Sequence, residues 1–179
     1  MFIGYFVVGL CALRQLGVQG KLLVTLEDVK VENVNPKYFD IEDTDVYLGE
    51  DESGESTINT RFSLVKQLPK RSGGHFTLLG LSMGEFVVPT GLDVDMTLCE
   101  MIDEPILVGP FFRAMGFTVG ACPIPPVSNG TYEAVGYKLP MDTLPDEFDE
   151  NKYQGKFQIF VDGKVVICIK ISVDVQNGF

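Results

Sequence analysis

The dipeptide Asp162-Gly163 lies between two runs of alternating residues and constrains the fold more than any other feature of the sequence. Before it, Phe157, Ile159 and Val161 occupy alternate positions. After it, apolar residues occupy every second position: Val165, Ile167, Ile169, Ile171, Val173 and Val175. This is the period of a β-strand with one buried face. Because Asp and Gly tolerate the positive φ of a two-residue turn, the sequence predicts a closing β-hairpin.

The rest of the chain also favours strands and turns over long helices. It contains 19 Gly, 10 Pro and no Trp within 179 residues, enough for one core. The patterns predict four further strands: Lys21 to Val34 with a phase shift at Glu27-Asp28, a strand that buries Val46 and Leu48, Thr57 to Lys66, and Phe76 to Val88. We therefore expect an all-β fold.

The first 20 residues differ from everything that follows. Phe2 to Leu13 is almost wholly apolar and too short to span a bilayer comfortably, and Val18 and Gly20 fit a signal-peptidase site. We expect a signal peptide over residues 1–20, a single domain over residues 21–179, and no integral membrane segment after cleavage. An uncleaved anchor is the alternative, because no basic residue precedes the apolar run. The expected location is extracellular, with the lysosomal lumen as a second compartment.

The net charge of −11 at pH 7 argues against nucleic acid as a partner. Cleavage after Gly20 would remove one charged residue, Arg14, and leave 13 basic against 25 acidic side chains, a net charge of −12. Such a chain repels phosphate backbones and anionic membrane surfaces. The sequence shows no basic, aromatic-interleaved patch that would oppose this.

Residues 96–118 break the alternation of the strands. Pro105 and Pro110 exclude a long helix, so we predict a short helical or irregular segment from Met96 to Asp103, then a hydrophobic loop from Ile106 to Phe117. Core packing is the simplest interpretation of the apolar side chains in this loop. The alternative is an adaptable apolar surface that receives a flexible hydrophobic ligand or contacts a membrane. The candidate ligand-binding residues are Phe111, Phe112, Met115 and Phe117.

The sequence offers little for catalysis or for metal binding. His75 is the single histidine, and no closely spaced Cys or His pair provides a tetrahedral zinc site. The acidic run from Asp40 to Glu55 lacks the spacing of a calcium loop and indicates a solvated strand and turn. Neither a nucleophile elbow nor a phosphate-binding loop is present. We expect no enzyme, no cofactor and no metal site; a hydrolase with an unrecognised carboxylate pair is the alternative.

Three cysteines remain after signal cleavage: Cys99, Cys122 and Cys168. In an oxidising compartment we expect one pair, with one thiol free or bridging two chains, and the spacing alone does not select the pair. Asn129 begins an Asn-Gly-Thr glycosylation sequon.

The final 58 residues carry an ordered set of short motifs: C-P-I-P-P at Cys122, G-T-Y at Gly130, L-P at Leu144, N-K-Y at Asn151, G-K at Gly163 and C-I-K-I at Cys168. In their order and spacing, they resemble the ganglioside activator protein and the insect chemosensory proteins of the CheB group, in the lipid-recognition superfamily. This resemblance implies a β-cup or β-sandwich of two antiparallel sheets around an apolar cavity. It also implies a Cys99–Cys122 disulfide and a free thiol at Cys168.

From the resemblance we expect a secreted, non-enzymatic carrier of a lipid or lipid-like hydrophobic molecule. A receptor or a lipid-processing enzyme would be its protein partner. An extracellular interaction module, or an accessory subunit of a receptor with no bound lipid, is the alternative.

Overall fold

The structure is a computed structural model that describes residues 22–106, 108–120, 131–140 and 148–177. The predicted signal peptide, Cys122 and Asn129 lie outside the described residues. Within the described ranges, no helix is long and apolar enough to cross a membrane.

Strands dominate the described part of the chain, and they form two antiparallel sheets. The elements are β1 Leu22–Glu32, β2 Asp45–Glu50, β3 Ser56–Ser63, β4 Gly73–Ser82, β5 Glu85–Thr97, α1 Leu98–Asp103, α2 Gly109–Ala114, β6 Thr131–Tyr137, β7 Asn151–Val161 and β8 Lys164–Asn177. One sheet has the order β1-β8-β7-β4-β5, and the other has the order β2-β3-β6. The predicted all-β fold of two antiparallel sheets, with a short helical segment near residues 96–118, is confirmed.

The predicted closing hairpin is the β7–β8 pair in the middle of the larger sheet. Asp162 and Gly163 have φ values of 51° and 73°, as a two-residue turn of this type requires. Val161 pairs with Lys164 directly across the turn.

The phase shift predicted in the first strand is also present. The register of β1 against β8 shifts between Leu26 and Asp28. One extra residue at this point changes the face of the following side chains, so that both Leu26 and Val29 are buried.

The prediction of one strand from Phe76 to Val88 is wrong. This segment belongs to two strands, β4 and β5, which pair across a turn at Met83 and Gly84 with φ values of 51° and 88°. Methionine is apolar and uncommon at positive φ, so it is not a turn signal. The apolar alternation therefore continues through the turn without an obvious interruption. Gly84 is the second residue of this hairpin turn.

The predicted hydrophobic loop from Ile106 to Phe117 contains the short helix α2. Pro110 lies in the first turn of this helix, where a backbone N–H has no intrahelical acceptor, and proline is therefore tolerated there. A Cβ added at Gly109 would lie 1.8 Å from the Glu104 carbonyl oxygen, so the backbones after α1 and at the start of α2 are in close contact.

The other helix, α1, follows β5 directly and begins with a capping box. The Thr97 hydroxyl accepts a hydrogen bond from the Glu100 N–H (3.2 Å), and the Glu100 carboxylate accepts one from the Thr97 N–H (2.9 Å). The bonds that the Thr97 N–H and hydroxyl donate to the Glu100 carboxylate lower the pKa of Glu100. The helix buries Leu98, Met101 and Ile102 against the core.

Candidate ligand-binding cavity

An apolar cavity lies against the inner face of the five-stranded sheet. Its lining comes from all five strands of this sheet and from the segments around α2, the end of β6 and the start of β7. The described lining residues are Val24, Phe76, Leu78, Leu92, Val108, Phe111, Tyr137, Leu139, Pro140, Phe148, Tyr153, Gly155, Phe157, Ile169, Ile171, Val173 and Val175.

The alternation of the central hairpin creates this wall. Successive strand side chains point to opposite faces, so Ile169, Ile171 and Val173 of β8 share the cavity side. On β7, Gly155 lies in the same wall, and a Cβ added there would be 3.5 Å from Phe76 Cε2. Glycine at this position leaves open a space that a larger side chain would fill.

The cavity has a volume of about 150 Å³, counted as the space open to the centre of a water-sized sphere. A protein cavity of about 150 Å³ lined by apolar residues stays dry and binds benzene. All the space between the lining atoms amounts to about 1000 Å³, including the part that is continuous with solvent. The size therefore suits a small hydrophobic molecule or part of one acyl chain.

Among the described lining residues, Tyr137 and Tyr153 alone carry a polar side-chain atom. The Tyr153 hydroxyl donates to the Asp149 carbonyl oxygen at 2.8 Å. Burial raises the pKa of both phenols, so both hydroxyls are neutral in the physiological range. The described wall provides no carboxylate, imidazole or amine for proton transfer, and its chemistry is that of apolar contact.

The structure separates the four candidate ligand-binding residues. Phe111 lines the cavity, and its ring lies 5.2 Å from that of Tyr137. The other three candidates are buried in the core and are not among the described lining residues. Phe112 packs edge-on against Phe157 at 5.1 Å, and Phe117 stacks on Tyr132 at 4.0 Å.

Sequence reasoning missed most of the cavity wall, although the sequence contained a signal for it. The alternating residues of β7 and β8 were predicted to face the core, and the same face lines the cavity. Gly155, within an otherwise regular strand, is typical of a position where a side chain would occupy space that the fold keeps open.

The outer face of the same sheet carries a small polar cluster. The His75 imidazole Nε2 lies 2.8 Å from Asp93 Oδ1, and Asp95 is the cross-strand neighbour of His75. Potential ligand atoms of these three residues lie within 4.8 Å of one another, the only such group of three within the described ranges. Both carboxylates are exposed, and the absence of a metal site stays a prediction.

A second depression lies on the three-stranded sheet and is polar. Arg61 donates to Glu133 at 3.0 Å and to Asp43 at 3.3 Å, and these bonds raise the pKa of its guanidinium. Arg61 therefore pairs with two of the acidic residues that line this depression, Asp43 and Glu133.

The cysteines fall into two classes. Cys99 is disulfide-bonded, and its predicted partner, Cys122, lies outside the described residues. Cys168 is a buried free thiol, as predicted, and burial raises the pKa of this thiol.

A comparison with protein-family models finds no match to this chain, and neither does a comparison with curated proteins. The resemblance to lipid-recognition proteins accordingly stays a prediction. The geometry of the cavity provides the basis for a function.

Proposed function

We propose that this protein is a secreted, non-enzymatic carrier that holds one lipid or lipid-like hydrophobic molecule in the cavity. The single observation that carries the proposal is the cavity itself: an open space of about 150 Å³ whose described wall is apolar except for two tyrosines. Such a space favours apolar ligands because it removes their surface from water.

The expected affinity comes mainly from the length of apolar chain that the cavity covers. Each methylene transferred from water contributes about 0.8 kcal/mol, which is roughly a fourfold change in the dissociation constant. A ligand therefore needs few polar contacts to bind.

Gly155→Leu tests the proposal, because the new side chain would occupy the cavity next to Phe76. A leucine that displaces two or three methylenes of the ligand, at about 0.8 kcal/mol each, weakens binding about tenfold or more. Titration with a fluorescent fatty acid measures the effect.

Gly73→Leu is the matched control. Gly73 lies on β4 with its Cβ position directed at Phe160 Cβ, 3.7 Å away, on the outer face of the sheet. We expect this variant to bind the fatty acid as the wild type does. Equal affinity of Gly155→Leu and wild type, with both proteins folded by circular dichroism, would overturn the proposal.

A second candidate function is an extracellular interaction module. The observation that favours it is the β4–β5 hairpin, whose tip exposes Met83, Val87 and Val88. Native mass spectrometry after mild extraction separates the two functions. A co-purifying lipid mass supports the carrier, and a bare chain that also fails to bind the fatty acid supports the interaction module.

A further inference from the structure

The described cavity wall contains two hydroxyl groups, and they differ in their hydrogen bonding. The Tyr153 hydroxyl is hydrogen-bonded to the Asp149 carbonyl oxygen at 2.8 Å. Tyr137 is half-buried with its ring against Phe111, and its hydroxyl has no hydrogen-bond partner within the described ranges. One polar group of the described wall thus has no partner among the residues that the structure describes.

Tyr137 lines the cavity, and its hydroxyl is not fully enclosed by the protein. The one side-chain polar atom that is both sealed from solvent and unpartnered in the described part of the chain is Thr60 Oγ1. Tyr137 Oη is therefore not sealed, although burial of the phenol raises its pKa. A partly buried hydroxyl without a protein partner gains from a hydrogen bond to a ligand.

A guanidinium and a carboxylate lie in the segment near this hydroxyl. Arg113, whose cation acts on the Tyr137 phenol, donates to neutral carbonyl oxygens: Ile102 and Glu104 at 2.9 Å, and Pro105 at 3.4 Å. The Glu104 carboxylate lies on the same segment, where it accepts hydrogen bonds from the Ile106 N–H at 2.6 Å and the Val108 N–H at 2.9 Å. A phenol can donate its O–H, so the Tyr137 hydroxyl suits a ligand oxygen that accepts hydrogen bonds.

We infer that the ligand is a single-chain amphiphile whose oxygen-bearing head group, a hydroxyl, carbonyl or carboxylate, is anchored by the Tyr137 hydroxyl while its chain fills the apolar cavity. The inference rests on the proposed function and adds the chemical class of the ligand. Tyr137 orients the ligand, and apolar contact supplies most of the affinity.

Three ligands with the same chain length test this assignment: octane, 1-octanol and octanoate, each displacing a fluorescent fatty acid. Tyr137→Phe keeps the ring against Phe111 and removes the hydroxyl alone. We expect the variant to bind 1-octanol, octanoate or both about two- to tenfold more weakly, the effect of one lost hydrogen bond, and to bind octane unchanged. A loss confined to octanoate assigns the head group as a carboxylate, and a loss for both assigns the acceptor that they share.

Tyr47→Phe, on an exposed side chain of β2 in the same three-stranded sheet, is the matched control and leaves all three affinities unchanged. If Tyr137→Phe shifts all three ligands equally or shifts none, Tyr137 is not an anchor and the inference is overturned. If the wild type binds none of the three ligands and does not bind the fluorescent fatty acid, the proposed function itself fails, which is a distinguishable result.

Discussion

Phe111 and Phe112 are adjacent in sequence and occupy different environments. A helix turns about 100° per residue, so neighbouring side chains point in different directions. The Phe112 ring is fully buried and lies 5.1 Å from Phe157 and 5.2 Å from Phe117. The Phe111 ring borders the cavity and Tyr137. One residue therefore stabilises the core, whereas the other can contact a ligand.

Alanine substitutions separate these two roles. We expect Phe112→Ala to lower the free energy of unfolding by about 3–5 kcal/mol, because it leaves a void in a closed aromatic cluster. Phe111→Ala extends space that already exists, so we expect a smaller loss of stability together with weaker binding of a fluorescent fatty acid. Urea unfolding and a binding titration measure both effects. Equal stability losses, with binding unchanged in Phe111→Ala, would contradict these roles.

The sequence could not separate the two phenylalanines. It identified the apolar segment and both of its interpretations, core packing and ligand contact. Which side chain faces the cavity depends on the direction of α2, and the sequence predicted a loop there. Without a helix, the orientation of Phe111 relative to Phe112 is not defined.

Among the elements, the β7–β8 and β4–β5 hairpins differ in how clearly the sequence predicts their turns. The turn at Asp162-Gly163 could be predicted from the sequence because both residue types are common at positive φ. Met83-Gly84 makes a turn with similar φ values, yet methionine gives no such signal. The strands themselves were predictable, and the boundary between two of them was hidden by an unusual turn residue.

The β2–β3 turn illustrates how an acidic cluster can stabilise an element. Asp51 pairs with Lys138, and it accepts hydrogen bonds from the Ser53 N–H at 2.8 Å and the Glu55 N–H at 2.9 Å. The Lys138 ammonium, followed by the Ser53 hydroxyl, holds the pKa of Asp51 far below its usual range. These contacts join the turn to the segment that follows β6.

Asp51→Asn should remove the part of the pH dependence of stability that the Asp51 carboxylate contributes. The folded-state pKa of Asp51 is depressed, so its stabilising contribution is complete above the unfolded pKa of about 3.9 and is lost as the pH falls toward the folded value. We expect the variant to be less stable than wild type at pH 7. The difference in their free energies of unfolding should narrow below about pH 4. Urea midpoints of both proteins between pH 7 and pH 2 measure this. A gap that stays constant over this range would show that the charge of Asp51 does not contribute.

For the whole molecule, the cavity results from how the two sheets meet. The three-stranded sheet contributes one strand residue, Tyr137, to the described lining, and its residues Val46, Ile58 and Phe62 are buried in the filled core instead. The larger sheet therefore covers both a packed core and an open space with one continuous apolar face. The alternation of apolar residues is the same over the packed core and over the cavity. The sequence therefore predicted which face of the sheet is apolar, but not where the cavity lies.

The position of a bound ligand decides whether the cavity is the binding site. The most direct measurement is nuclear Overhauser contact between a fatty acid and the methyl groups of the folded protein. We predict contacts from the ligand chain to Leu78, Ile171 and Val173 on the cavity wall. Contacts confined to the exposed Val87, Val88 and Val135, with none to the cavity methyl groups, would contradict the central claim that the cavity is the binding site.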